Sequence, residues 1–277
     1  VDRPPLVIDL GQWRCRAGWA VDPWPRMVFA PEGGRVRGIR DGAPKYLVGN
    51  EIFASEASSS RVVARGIHDS GLPYHMEFLE NIFDYVFFNS GAAGVPGSLR
   101  GALNHPVMLT EPLGALNTTR AGVSEILFEK FRIPGVCYGV DALLAFHYNA
   151  HLPGTRAGQQ GRAAAVVSAG HTSSVVIPLH RDDPAGDWRI RVSAARRVGV
   201  GGSQCTELLH NRLLARTQFL GDALPRQRCD RLRRQLCYCA QDPGAEAEHY
   251  AAVELAQLGI AVDQGVSGAT AETEAEA

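Results

Sequence analysis

Two stretches of the chain repeat one pattern: an apolar strand, a tip of small or polar residues, and a second apolar strand. The first is PLVIDLGQWRCRAGWA (5–20) and the second AAAVVSAGHTSSVVIPL (163–179). Such a recurrence marks an internal duplication, two α/β halves that each open with a hairpin, so that the tips can face each other across a cleft. In the first copy Leu6 to Ile8 reads as a buried strand, Asp9-Leu10-Gly11 as a tight turn and Cys15 to Ala20 as the returning strand. A hairpin with Asp and Gly at its tip can turn successive backbone N–H groups into one concavity suited to an anion. Asp9 can hold a hydrated magnesium ion beside it, because magnesium takes oxygen ligands and keeps its waters. Most tips of this composition are nevertheless only turns.

The segment between the hairpins reads as the frame of the first half. In His105 to Asn149 a buried strand (Pro106 to Thr110) is broken by Pro112 and Gly114. A helix follows, which Asn117 or Thr118 can cap. Val123, Ile126, Leu127, Lys130 and Phe131 fall roughly along one side of it. Ile133-Pro134 stops it, and a second strand and second helix follow. Upstream, residues 21–72 hold many turn formers, with short strands at Arg26 to Phe29 and Lys45 to Gly49, and residues 58–71 show no clear chemistry. A helix is expected from about Tyr74 to Asn89, then a Gly/Ala/Pro-rich loop to Asn104.

The order of residues is more specific than their periodicity. HPVMLTEPL, SEILFEKFRIP and YGVDALLAF resemble the centre of the actin family, and the likeness covers about residues 5–242. It implies an α/β fold, an actin-like (ribonuclease H-like) duplication of an ATPase domain, with an incomplete second half. Residues 1–149 would be the first half, with a small outer lobe at about 30–72. Residues 150–242 would begin the second half, after a polar linker (HLPGTRAGQQGR), and 243–277 would be a non-actin tail. Because the later parts of the family pattern do not follow, a truncated form with exposed apolar surface is expected.

The resemblance also implies ATP or ADP with magnesium, held between the two hairpins. Asp9, Gly11, Arg16 and Gly18 match the first phosphate loop, with Arg16 in place of a lysine and Asp9 holding the metal through water. Gln12 and Trp13 replace a serine and a glycine, and a Trp brings a Cβ and an indole where only Gly lets the backbone approach closely. In the second tip the matching residues are Ser168, Ala169, Gly170, His171 and Thr172, and both acidic positions are lost, to Ser168 and His171. Asp141 matches the glutamine that positions water, and reads either as a base or as a hydrogen-bonded cap. Hydrolysis needs a carboxylate for the metal and a group to orient water, so efficient hydrolysis is not expected, while binding stays open. Arg233 matches a basic contact near the adenosine, but Arg234 replaces a ribose-binding glutamate.

Other features narrow the reading. The formal charge of −1 gives no bulk reason for nucleic-acid or membrane binding, and no apolar run approaches the roughly 18 residues of a spanning helix. Six cysteines show no disulfide spacing. Cys237 and Cys239, two apart on an expected helix, would face different directions and suit no metal. His147 and His151 have helical spacing, but Tyr148 stands where a zinc protease needs Glu. Gly199-x-Gly201-Gly202 lacks the third glycine of a dinucleotide fingerprint, so it reads as a turn, with Ser203 capping a helix from Thr206 to Leu214. Arg226, Arg228, Arg231, Arg233 and Arg234 form a basic surface, by default a solvated face and otherwise a contact for DNA or an acidic partner. Residues 245–265 suit one short helix, and the acidic end suits disorder.

YGVD and GGSQ are most similar to a nuclear branch of the family, whose members are subunits of INO-eighty-class chromatin remodellers. That implies a nuclear assembly subunit, with a motor ATPase and other remodeller subunits as partners, nucleosomal DNA met indirectly, and no membrane. The competing readings are an active actin-like ATPase or filament subunit, and a sugar or acetate kinase of the same superfold, the last by fold analogy alone.

Overall fold

The structure, a computed structural model, describes residues 3–36, 46–49, 51–54, 65–69, 72–91, 104–150, 152, 161–183, 186–216 and 226–257. Most of the 58–71 stretch, the 90–104 loop, the 151–162 linker with His151, and the chain end from 258 lie outside the described residues.

In chain order the strands and helices are β1 (Leu6–Leu10), β2 (Cys15–Trp19), β3 (Met27–Phe29), β4 (Glu32–Arg35), β5 (Tyr46–Val48), α1 (Glu51–Ala54), β6 (Arg65–Gly66), β7 (His68–Asp69), β8 (Leu72–Pro73) and α2 (Met76–Gly91). Then come β9 (Val107–Glu111), α3 (Asn117–Glu125) with a π-helical extension (Ile126–Lys130), β10 (Val136–Val140), α4 (Asp141–Ala150), β11 (Ala163–Ala169) and β12 (Ser174–His180). The last are β13 (Arg189–Ile190), β14 (Arg196–Val198), α5 (Gly202–Arg216), α6 (Arg226–Leu236) and α7 (Pro243–Gln257). The chain forms two compact units, 1–208 and 209–277, and both hairpins lie in the first.

Within that unit the first sheet runs β10-β9-β1-β2-β3, with β1, β9 and β10 parallel and the hairpin antiparallel. Parallel strands are buried on both faces and need apolar residues throughout. Leu6, Ile8, Val107 and Leu109 meet that need, and pack with Leu79, Ile82, Phe83 and Val86 of α2 and with Val123, Leu127 and Phe131. Phe87 meets Phe131 edge-on at 4.8 Å between ring centroids, an arrangement the ring quadrupole favours. The region of the expected outer lobe carries a small β5-β4-β6 sheet and the β7–β8 pair.

The second sheet repeats the hairpin: β11 pairs β12, and β12 carries β13 and β14 on its other side. One face holds Ile177 and Leu179 against Ala142, Leu143 and Phe146 of α4. On the opposite face Val167 and Val176 are exposed across the ladder from one another, with Val198 exposed beside them on β14. In the second unit, Asp230 of α6 pairs with Arg233 at 3.0 Å and Arg234 at 2.7 Å, and the Tyr238 hydroxyl donates to Glu246 of α7.

Four local expectations are corrected. Asp9 and Leu10 belong to β1 and not to the turn, because Leu10 packs against the core and pairs with Cys15. Neither Asn117 nor Thr118 caps α3; Leu116 occupies the cap with no side-chain bond. The π-helical turn carries Phe131 into the core, its N–H reaching the Ile126 carbonyl at 3.4 Å, and turns Lys130 outward to Glu80. Cys237 and Cys239 lie beyond the end of α6, both exposed, and not on a helix.

Candidate functional site

The two hairpins are built alike down to the turn. The last strand pairs are Leu10 with Cys15 and Ala169 with Ser174, so each tip is a four-residue loop: Gly11-Gln12-Trp13-Arg14 and Gly170-His171-Thr172-Ser173. Each loop begins with a glycine that folds onto the carbonyl three residues on. A Cβ at Gly11 would lie 2.7 Å from the Arg14 oxygen, and one at Gly170 2.8 Å from the Ser173 oxygen. Both gaps are too short for any side chain, which explains the two glycines without reference to a ligand.

The tips meet. Thr172 Oγ1 donates to Gln12 Oε1 at 2.5 Å, and the Trp13 and His171 rings lie 4.9 Å apart, tilted by 35°. All four residues are half-buried. The Arg14 guanidinium sits 5.6 Å from the Trp13 ring, within cation–π range. The second tip is also held from behind: its Gly170 and His171 carbonyls accept the N–H groups of Gly202 (3.0 Å) and Ser203 (2.7 Å), the first residues of α5. Gln204 Oε1 takes the Gly201 N–H at 2.8 Å. The helix start is therefore satisfied by the tip and by Gln204, and Ser203 lies inside the helix and is not its cap, a correction to the expected start. Gly201 is required by the same packing, since a Cβ there would lie 2.6 Å from both the Gly170 and His171 oxygens.

Beneath the first tip, the carboxyl ends of the parallel strands bring Asp9, Thr110 and Asp141 to one end of the sheet, where ligands bind in open α/β folds. Asp9 is committed on both oxygens: Thr110 Oγ1 donates to Oδ1 at 2.7 Å and Arg16 pairs with Oδ2 at 2.9 Å. Arg16 is the direct cross-strand partner of Asp9. Asp141 opens α4, and its Oδ1 accepts the Ala142 N–H at 2.7 Å. Loss of water around the carboxylate raises the Asp141 pKa from its ordinary value, the Ala142 bond opposes that rise, and the charge of Asp9 adds to it. His68 Nε2 bonds the Leu10 carbonyl at 3.0 Å, so that nitrogen carries the proton. Burial pushes the His68 pKa down to about 4, against the opposing pull of the Leu10 carbonyl and Asp9.

Of the residues singled out from sequence, Gln12, Trp13, His171 and Thr172 come together at the tips, with Gly11 and Gly170 shaping them. Asp9 and Arg16 pair one step below, and Asp141 stands at the same sheet end. Ser168 pairs with Val175, the strand position equivalent to Asp9 opposite Arg16, and offers no carboxylate there. Gly18 is not at the tip: it pairs with Val7, lower on the hairpin, and its lack of a Cβ admits the turn at Pro25 and Arg26. Arg233 belongs to the second unit, with Asp230. Sequence reasoning missed Thr110, His68 and the role of Gly201. The Gly-Gly pair before a helix was the one signal for the last, and nothing local marks the other two. Among the described residues no cluster of three or more His, Cys, Asp or Glu is arranged to hold a metal ion, and no helix is long and apolar enough to cross a membrane.

Comparison with known proteins places this architecture. The family model described as Actin matches residues 2–233. The actin-like protein arp5 of Schizosaccharomyces pombe is 32% identical over 205 residues, covering 74% of this chain and 25% of the relative. Actin-related protein 5 of Gallus gallus is 30% identical across 90% of this chain and 39% of the relative. The Homo sapiens protein of that name is 30% identical across 86% and 37%. The chain thus spans a quarter to two fifths of the length of these relatives. With one hairpin beside the parallel strands β1, β9 and β10, a like hairpin opening a second, antiparallel sheet, and a family match from the first strand to the sixth helix, the chain belongs to the actin family.

Proposed function

We propose that the chain acts as a non-filament, actin-related subunit of a nuclear ATP-dependent chromatin-remodelling complex, with a degenerate nucleotide cleft. The relatives named actin-related protein 5 support the branch, and YGVD at residues 138–141 with GGSQ at 201–204 are the motifs that carry it. Its partners are then the motor ATPase and neighbouring remodeller subunits. Contact with nucleosomal DNA is indirect, and the role is assembly in the service of transcription regulation and DNA repair.

The observation that carries the degenerate cleft is the side-chain contact between the tips, Gln12 with Thr172 and Trp13 with His171. A phosphate held between two hairpins needs open backbone donors on both sides. The donor set also suits magnesium poorly. Asp9 is engaged by Arg16 and Thr110, and the second tip supplies Ser168 and His171 in place of carboxylates. Gly11, Gly18, Gly170 and Arg233 then serve the fold and not a nucleotide. In nuclear extract, tagged chain is expected to co-purify with a remodelling ATPase; its absence from that fraction, for this chain and a full-length relative alike, would refute the assignment.

A second reading, a nucleotide-binding actin-like ATPase, is favoured by one observation, the convergence of Asp9, Thr110 and Asp141 at the carboxyl end of the sheet. Asp141 would then serve as the water-orienting base and Asp9 would hold the metal through water. Magnesium-dependent phosphate release abolished by Asp141→Asn would establish it.

A further inference from the structure

The contact between the tips has a symmetry that chance packing does not require. The loops correspond residue for residue, Gly11 with Gly170, Gln12 with His171 and Trp13 with Thr172. Position two of the first loop touches position three of the second, Gln12 to Thr172. Position three of the first touches position two of the second, Trp13 to His171. This is the reciprocity of an isologous interface, in which i meets j and j meets i, here made within one chain by the duplicated hairpins.

We propose that the paired tips form a side-chain latch, a reciprocal Gln12–Thr172 and Trp13–His171 contact that holds the two hairpins together where the fold otherwise admits a ligand. The proposal rests on the degenerate-cleft reading and assigns that cleft a positive role. The latch is braced on both sides. Arg14 faces the Trp13 ring, and the second tip is pinned by the Gly202 and Ser203 N–H groups on its carbonyls. Each tip folds back on its own backbone, with Gly11 close against the Arg14 carbonyl and Gly170 against that of Ser173, which the Gly170 N–H also bonds at 2.9 Å. The tips therefore engage as preformed units, and the contact needs little ordering when it closes. In a ligand-clamped cleft, closure depends on ligand concentration; a latch of side chains makes it constitutive.

The test reads one tip while altering the other. Hydrogen exchange is followed by mass spectrometry in peptides covering 10–15 and 168–175, without nucleotide. The variants are Gln12→Gly with Trp13→Gly, and separately Thr172→Val with His171→Ala. Circular dichroism melts confirm that each variant folds, and Thr172→Val alone, which keeps the shape and removes the donor, is the mildest variant. Roughly tenfold faster exchange is expected at the unaltered tip in each case, as loss of two modest contacts gives for a local opening. Unchanged exchange at the opposite tip in folded variants overturns the latch. Failure of the cleft reading gives a different result: slowed exchange at both tips of the unaltered chain on adding magnesium-ATP.

Discussion

Gly201→Ala is the substitution whose cost follows most directly from the geometry. The new Cβ would lie 2.6 Å from the Gly170 and His171 oxygens and 2.7 Å from the His171 carbonyl carbon, all backbone atoms of the second tip. Backbone has no rotamer to turn aside, so the tip and the start of α5 must separate. Overpacking of this kind costs about 1–3 kcal/mol. Separation also stretches the Gly202 and Ser203 bonds to the tip, each contributing roughly 0.5–1.5 kcal/mol. Loss of unfolded-chain freedom offsets about 0.4–1 kcal/mol, which leaves a net destabilisation of about 1–5 kcal/mol, centred near about 3. Gly199→Ala is the control, two residues away with nothing within 4 Å of its Cβ. Thermal melts followed by circular dichroism should show Gly201→Ala lower by about 10 °C, at roughly 2–4 °C per kcal/mol for a chain of this size, with Gly199→Ala unchanged or slightly higher. Equal melting of the two would refute the packing of the second tip on α5.

Three further outcomes are expected. His68 has a folded pKa of about 4, below its unfolded value of about 6.5. The unfolded chain therefore binds the extra proton first, and stability falls as pH drops through that window, by about 1.4 kcal/mol per unit for this group. Asp141, with a raised pKa, works in the opposite sense, its contribution present at low pH and lost as pH rises through its folded value. Urea midpoints between pH 7 and 4.5 should decline less in His68→Gln than in the unaltered chain, and a parallel decline would remove His68 as the cause. Phe83→Ala, which empties a fully buried site between α2 and Phe131, should cost about 3–5 kcal/mol in the same titration. Asp230→Ala leaves Arg233 and Arg234 without their shared, buried carboxylate, and should speed exchange across residues 226–236 without altering that of the hairpins.

Much of this architecture is legible in the residues because the signals are local. Alternation in 5–20 and 163–179, with glycine where each strand turns, gives two hairpins, and the structure shows the same four-residue loop in both. Positions decided by distant neighbours are not legible. Leu10 extends β1 because a core lies beneath it, and Ser203 loses its capping role because the carbonyls of a tip about thirty residues earlier take the helix N–H groups. Lys130 and Phe131 share the apolar side of an ideal helix, yet past the π turn only Phe131 is buried and Lys130 is exposed. The site is legible as a set of positions, since Gln12, Trp13 and His171 stand where the family pattern departs and Thr172 lies beside them in the second tip. That these four residues touch one another depends on how two hairpins approach, which no local pattern encodes.

The central claim is that side chains, and not a nucleotide, close this cleft. Isothermal calorimetry with magnesium-ATP, on the unaltered chain and on a matched full-length form, tests it most directly. The account predicts no measurable heat of binding in either and melting temperatures that do not move with ATP. Saturable binding by the unaltered chain, weakened by Asp9→Asn, would contradict it and restore the hairpins to a phosphate-binding role.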